Sequence, residues 1–162
     1  MTDKKIHEEE VITFLKSWSD GIIAIGKEYL DHKDYKIPAE DFISKHYGFD
    51  EGEVLFKPTL TKDVVFRNNS VDALSYFIKG HIGEDGGFAI RPWKKIDLLD
   101  SYILIENDYS FVMGVLHFIP WVGSNTFEIA FTFVLKKNSK DKLKIKLHHS
   151  SPITPYVATP KN

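Results

Sequence analysis

"TFEIAFTFVLKKNSKDKLKIKLHHS", residues 126–150, decides how this chain is read. Phe127, Ile129, Phe131 and Phe133 recur at every second position, the period of a strand with one buried face. Asn138, Ser139, Lys140 and Asp141 then supply turn chemistry. Beyond the turn, lysines alternate with Leu143, Ile145 and Leu147 until two histidines and two serines arrive together. A period of two places Leu143, Ile145, Leu147, His149 and Ser151 on the apolar side. It turns Lys144, Lys146, His148 and Ser150 to water. A polar pair ending a buried face needs hydrogen-bond partners. His149 and Ser151 are therefore either a satisfied structural pair or the lining of a pocket.

Working outward, the segments 88–98, 101–106 and 109–119 carry the same strand character, with Asn107-Asp108 as a hairpin turn. With 126–137 and 143–150 they predict an antiparallel meander. "EVLFKPTL" and "DVVFR" read as two further short strands, and "HIGEDGGF" as a loop. Residues 70–78 suit either a short helix started by Ser70 or a strand, and the helix is preferred. The first segment is helical: Val11, Phe14, Leu15, Trp18, Ile22, Ile25, Tyr29 and Leu30 recur at spacings of three and four. Gly21 and Gly26 interrupt it at roughly 1 kcal/mol each relative to Ala, which points to close packing there. Pro38 opens a second helix, "PAEDFISKHYG", and Gly48 stops it. Two helices before an antiparallel sheet make an α+β layer structure.

Composition narrows the function. At 162 residues there is room for one domain with a core. The chain is 43% hydrophobic and 14% aromatic, with 12 Phe and 7 Tyr. The 21 basic and 23 acidic residues leave a net charge of -2, with no basic face for nucleic acid. The absence of cysteine removes disulfides and thiolate chemistry. No apolar run is long enough to cross a membrane, and the polar N-terminus carries no leader, so the expected location is the cytoplasm.

The hydroxyls of Thr59, Tyr76 and Ser151 can orient a water beside a small oxyanion, and a histidine can relay a proton. Tyr76 equally suits ring packing, and Arg67, closing "VVFR", a surface ion pair. Adjacent His148 and His149 point to opposite faces and cannot clamp one ion. A metal site joining His149 to His117, Glu84 or Asp85 is conceivable but not demanded by spacing. No zinc-protease, phosphate-loop, dinucleotide or nucleophile-elbow motif is present.

"LFKPTL", "FRNNSVDALSYFIKG", "EDGGFAIRPW", "VMG" and "LKIKLHHSS" together resemble the iota-class carbonic anhydrases. That family is related to the association domain of calcium/calmodulin-dependent protein kinase II and shares the SnoaL-like, nuclear transport factor 2-like fold. The resemblance runs from about residue 18 to residue 156 and implies one domain over 8–157. It implies a cone, with N-terminal helices packed in a curved antiparallel sheet around a pocket, and homodimers joined across the sheet. The implied reaction is reversible hydration of carbon dioxide to bicarbonate. Thr59, Tyr76, His149 and Ser151 would be catalytic, with Ser150 and Arg67 binding substrate. The hydroxyl-rich set favours a metal-free site with no cofactor, while manganese or zinc dependence stays open. The chain departs from the family at "IKG" after "SYF", at "HFIPWVGSNT", and at the inserted Ile153-Thr154. Two other readings remain. One is a non-catalytic ligand-binding or oligomerisation module of the kinase association-domain type. The other is a SnoaL-like isomerase or cyclase with a large pocket lined by Phe88, Trp93, Phe118 and Trp121.

Overall fold

In the computed structural model, which describes residues 5–153, the predicted first helix is α1, Glu8–Leu30. Its entry is fixed by the Glu10 carboxylate, which accepts the His7 amide at 2.8 Å, as a capping glutamate does. Val11, Phe14, Leu15, Trp18, Ile22 and Ile25 form its buried stripe. Gly26 is needed where α1 meets the chain before the sheet. A Cβ there would sit 2.9 Å from the Ala89 carbonyl oxygen and 3.1 Å from Pro92 Cα. Helix α2, Lys36–His46, turns Ala39, Phe42, Ile43 and His46 inward. A short 3-10 turn, Phe49–Glu51, leads to strand β1, Leu55–Lys57.

The ambiguous segment is a helix, α3, Ser70–Ile78. Asn69 rather than Ser70 caps it, accepting the Asp72 amide. "DVVFR" forms no strand: its first two amides go to a side chain, and the Arg67 amide makes a single bond to the Phe56 carbonyl at 2.8 Å. The Glu84 carboxylate takes the amides of Lys62, Asp63 and Val64, and the Asn68 side chain takes the amide of Phe56. Residues 88–90 are a 3-10 turn, and the two strands expected over 88–106 are one, β2, Trp93–Glu106. Its register slips at Lys94 and at Leu99, and these two bulges disguise its continuity. Strands β3, Tyr109–Pro120, β4, Phe127–Lys137, and β5, Leu143–Pro152, complete the sheet.

The strand order is β1-β5-β4-β3-β2. The expected curved, antiparallel cone is not what these strands make. The sheet is mixed, because β1 joins β5 in parallel, Leu55 opposite Leu147 and Lys57 opposite His149. Pairs β5–β4, β4–β3 and β3–β2 are antiparallel. The architecture remains α+β, with the helices on one face of the sheet. There Trp18 and Phe14 meet Phe133, while Phe42 meets Phe77. Among the described residues no helix is long and apolar enough to cross a membrane. Thr154, Tyr156 and the expected domain end at 157 lie outside the described residues.

Candidate active site

Strand β5 does not keep its alternation. Val134 pairs with Leu147 and Leu135 with Ile145, so Lys146 is an extra residue, a β-bulge. Beyond the bulge the phase is reversed. His148 and Ser150 point into the core, 4% and 1% exposed, while His149 is exposed and Ser151 half-buried on the outer face. The expected inward pair, His149 and Ser151, is therefore replaced by its neighbours. Counting by twos cannot detect one inserted position.

The imidazole of His148 is held by a relay from α1. Trp18 Nε1 donates to the Tyr47 hydroxyl at 3.2 Å, and that hydroxyl bonds His148 Nδ1 at 2.9 Å. An indole can only donate, so the phenolic oxygen accepts from Trp18. With no third partner for this buried hydroxyl, its own proton goes to Nδ1. The network thereby assigns the His148 proton to Nε2. Burial, then the charges of His149 and Lys57, pull the His148 pKa down to about 3, so the ring is neutral at ordinary pH. His148 Nε2 and Ser150 Oγ are both buried, and neither has a hydrogen-bond partner among the described residues. Two such atoms at i and i+2 of one strand face stand about 7 Å apart. Ser110 Oγ is also unpartnered, but lies far along the sheet, opposite Leu135.

Thr59 and Tyr76 reach the same end of β5 from the other side. Tyr76, on α3, accepts the Leu60 amide at 3.1 Å and also engages the Thr59 side chain. Burial pushes its pKa up to about 12, partly offset by those two bonds, so it is a phenol with a proton to give. Lys57 Nζ joins the two sides, donating to the Ser150 carbonyl at 2.8 Å and reaching that of Thr59 at 3.5 Å. Thr59, Tyr76, His148 and Ser150 are thus four buried polar residues around the end of β1, where the Phe56 ring meets both His148 at 4.7 Å and Tyr76 at 6.3 Å.

The family model for metal-independent carbonic anhydrases matches residues 9–152. The chain belongs to this family. It is 34% identical over 157 residues to the metal-independent carbonic anhydrase of Nostoc sp., covering 93% of this chain and 76% of that one. A crystal structure of a cyanobacterial iota-carbonic anhydrase complexed with bicarbonate superposes with a TM-score of 0.89 at 32% identity, over 98% of both chains. A nuclear transport factor 2-like protein from Streptomyces avermitilis superposes at 0.62 with 13% identity, over 91% of this chain and 96% of that one. At that identity the likeness speaks to the fold alone.

Within this metal-independent carbonic anhydrase family member, the guanidinium of Arg67 is engaged by Asp85, at 2.6 and 2.7 Å. Arg67 is fully buried and also donates to the carbonyls of Val64 and Asp72. Asp85 also accepts from Ser75 at 2.7 Å. Arg67 therefore ties the glycine-rich loop to α3 behind Tyr76, with its charge 5.9 Å from that ring. His117 bonds Glu128 toward the outer face, while Glu84 takes the amides of residues 62–64 and Asp85 takes Arg67 and Ser75. Among the described residues no three His, Asp or Glu side chains gather as a metal site. Phe88, Trp93 and Phe118 pack on one another in the core, with ring centroids 5.1–5.6 Å apart. A groove of about 430 Å³ between α2 and α3 meets the site only through Tyr47.

Proposed function

We propose that this chain interconverts carbon dioxide and bicarbonate without metal, at the four polar groups gathered beside the end of β1. The observation that carries the reading is the pair of buried atoms without a partner among the described residues, His148 Nε2 and Ser150 Oγ, linked to Tyr76 and Thr59 through Phe56 and Lys57. Leaving such groups unmade destabilises a fold by about 1–3 kcal/mol each, which a small polar ligand relieves. Bicarbonate has three oxygens for them. In hydration, the water oxygen bonds to the carbon, one carbon dioxide oxygen takes the negative charge, and the water's proton leaves to solvent. The Nε2–H of His148 and the O–H of Tyr76 are donors suited to the developing oxyanion. Ser150 and Thr59 can accept from the attacking water and hold it in line. His148 acts as a donor in this scheme, since a ring with a pKa of about 3 is a poor base at neutral pH.

Stopped-flow hydration of carbon dioxide in the presence of a chelator tests the reading. Wild type should exceed the buffer rate, and Tyr76→Phe should lose about 100-fold in kcat/KM. Wild type at the buffer rate, in folded protein with or without added manganese or zinc, would refute it.

The same reading includes a homodimer. Tyr102 and Leu104 on β2 pair with Met113 and Phe111 on β3, and all four are exposed on the outer face of the sheet, opposite the helices. A contiguous apolar face of this kind marks an association surface. Light scattering should give twice the chain mass, and Met113→Glu should shift it toward the single chain.

A further inference from the structure

Lys57 is the last residue of β1, and Pro58 follows it. Proline has no N–H to donate, so the parallel ladder stops there. His149 is the last β5 residue paired with β1, and the Ser150 carbonyl lies one position beyond. The Lys57 side chain takes over at that point, bonding the Ser150 carbonyl at 2.8 Å and reaching the Thr59 carbonyl at 3.5 Å. Both carbonyls belong to residues whose hydroxyls serve the proposed site.

Among the described residues no carboxylate lies within ion-pair distance of the Lys57 ammonium, in contrast to buried Lys137, which meets Glu10 and Asp141. The Lys57 ammonium is partly withdrawn from water, which lowers its pKa, and its charge is felt at His148. A half-desolvated cation without a counter-ion acts more strongly on a nearby anion than a solvated surface lysine does. Carbon dioxide is neutral and bicarbonate carries one negative charge, so such a cation distinguishes the two.

We propose that Lys57 is a positioning residue that frames the Thr59 and Ser150 main chains, and that its uncompensated charge sets the site's affinity for the bicarbonate anion. This rests on the carbonic anhydrase reading, yet it is read by binding rather than by turnover.

The test is a bicarbonate titration at fixed ionic strength, followed by the amide nitrogen and proton shifts of Thr59 and Ser150. Lys57→Met and Lys57→Gln should each weaken binding about tenfold, and Lys57→Arg should stay within about twofold of wild type. Glutamine keeps a donor but no charge, so a purely structural lysine would make Lys57→Gln behave as wild type. If Lys57→Met fails to fold, the Gln and Arg variants decide. Binding within about twofold of wild type for the neutral variants overturns the inference, as does a wild type that binds no bicarbonate. Carbon dioxide hydration by the same wild-type sample separates the two claims. Binding without turnover refutes the activity alone, and turnover with binding indifferent to Lys57 refutes this inference alone.

Discussion

His46 and His148 are both buried histidines, and their partners differ. His46 donates from Nδ1 to the Phe42 carbonyl at 2.8 Å and accepts from Ser17 at Nε2, so nothing is left over. His148 has one nitrogen engaged by Tyr47 and the other unmatched, as is the hydroxyl two residues along. That difference separates a structural histidine from a candidate ligand-binding one, and it yields a sharp test at Ser150. Ser150→Ala should lower kcat/KM for carbon dioxide hydration about 100-fold. It should leave the urea midpoint unchanged or raised, because the hydroxyl it removes is buried and unbonded. Ser151→Ala should leave the rate within about twofold, since that hydroxyl faces outward. The residue types at this site were legible in "HHSS"; which member of each doublet faces inward was not. That choice lies in the bulge at Lys146, and a lysine reads the same in a bulge as in a regular strand.

At the scale of elements, what repeats locally was readable and what depends on distant chain was not. The 3.6-residue stripe of α1 and the alternation in β3 and β4 each report on one element packing one face. "DVVFR" has strand composition, yet its Asp63 and Val64 amides are taken by Glu84, about twenty residues onward. Nor does β1, three residues long, announce that it will pair in parallel with the far end of the chain. Glycine in α1 was the local hint of a close approach, and Gly26 tests it. Gly26→Ala should gain about 1 kcal/mol of helix propensity. It should nevertheless destabilise the protein by about 1–3 kcal/mol net, because the added carbon meets main-chain atoms of Ala89 and Pro92 that cannot swing aside. Urea unfolding checks the sign: a stabilised variant would mean that the contact yields.

For the whole molecule, two buried neutral histidines set the response to acid. Burial is the largest cause of both depressed values, about 4 for His46 and about 3 for His148. The unfolded chain takes up protons on both near pH 6.5, and the native protein does not until far lower. Stability is therefore unaffected by these groups above about pH 7 and falls as pH drops from about 6.5 toward 4. Each contributes up to ~1.4 kcal/mol per pH unit within that window. The urea midpoint should drop between pH 7.5 and 5, and His46→Gln should shallow the fall; a midpoint flat across that range would contradict the buried neutral assignment. The parallel pairing of β1 with β5 has one further consequence, in the order of assembly. Lys57 and Ser150 are 93 residues apart in sequence, and Tyr47 and His148 are 101 apart. Closing so long a loop is slow, and little contact energy is recovered until it closes. On refolding, helical signal should return before bicarbonate binding does. A nascent chain halted before β5 would possess both N-terminal helices and no binding site, so ligand competence here doubles as a certificate that translation has passed residue 150.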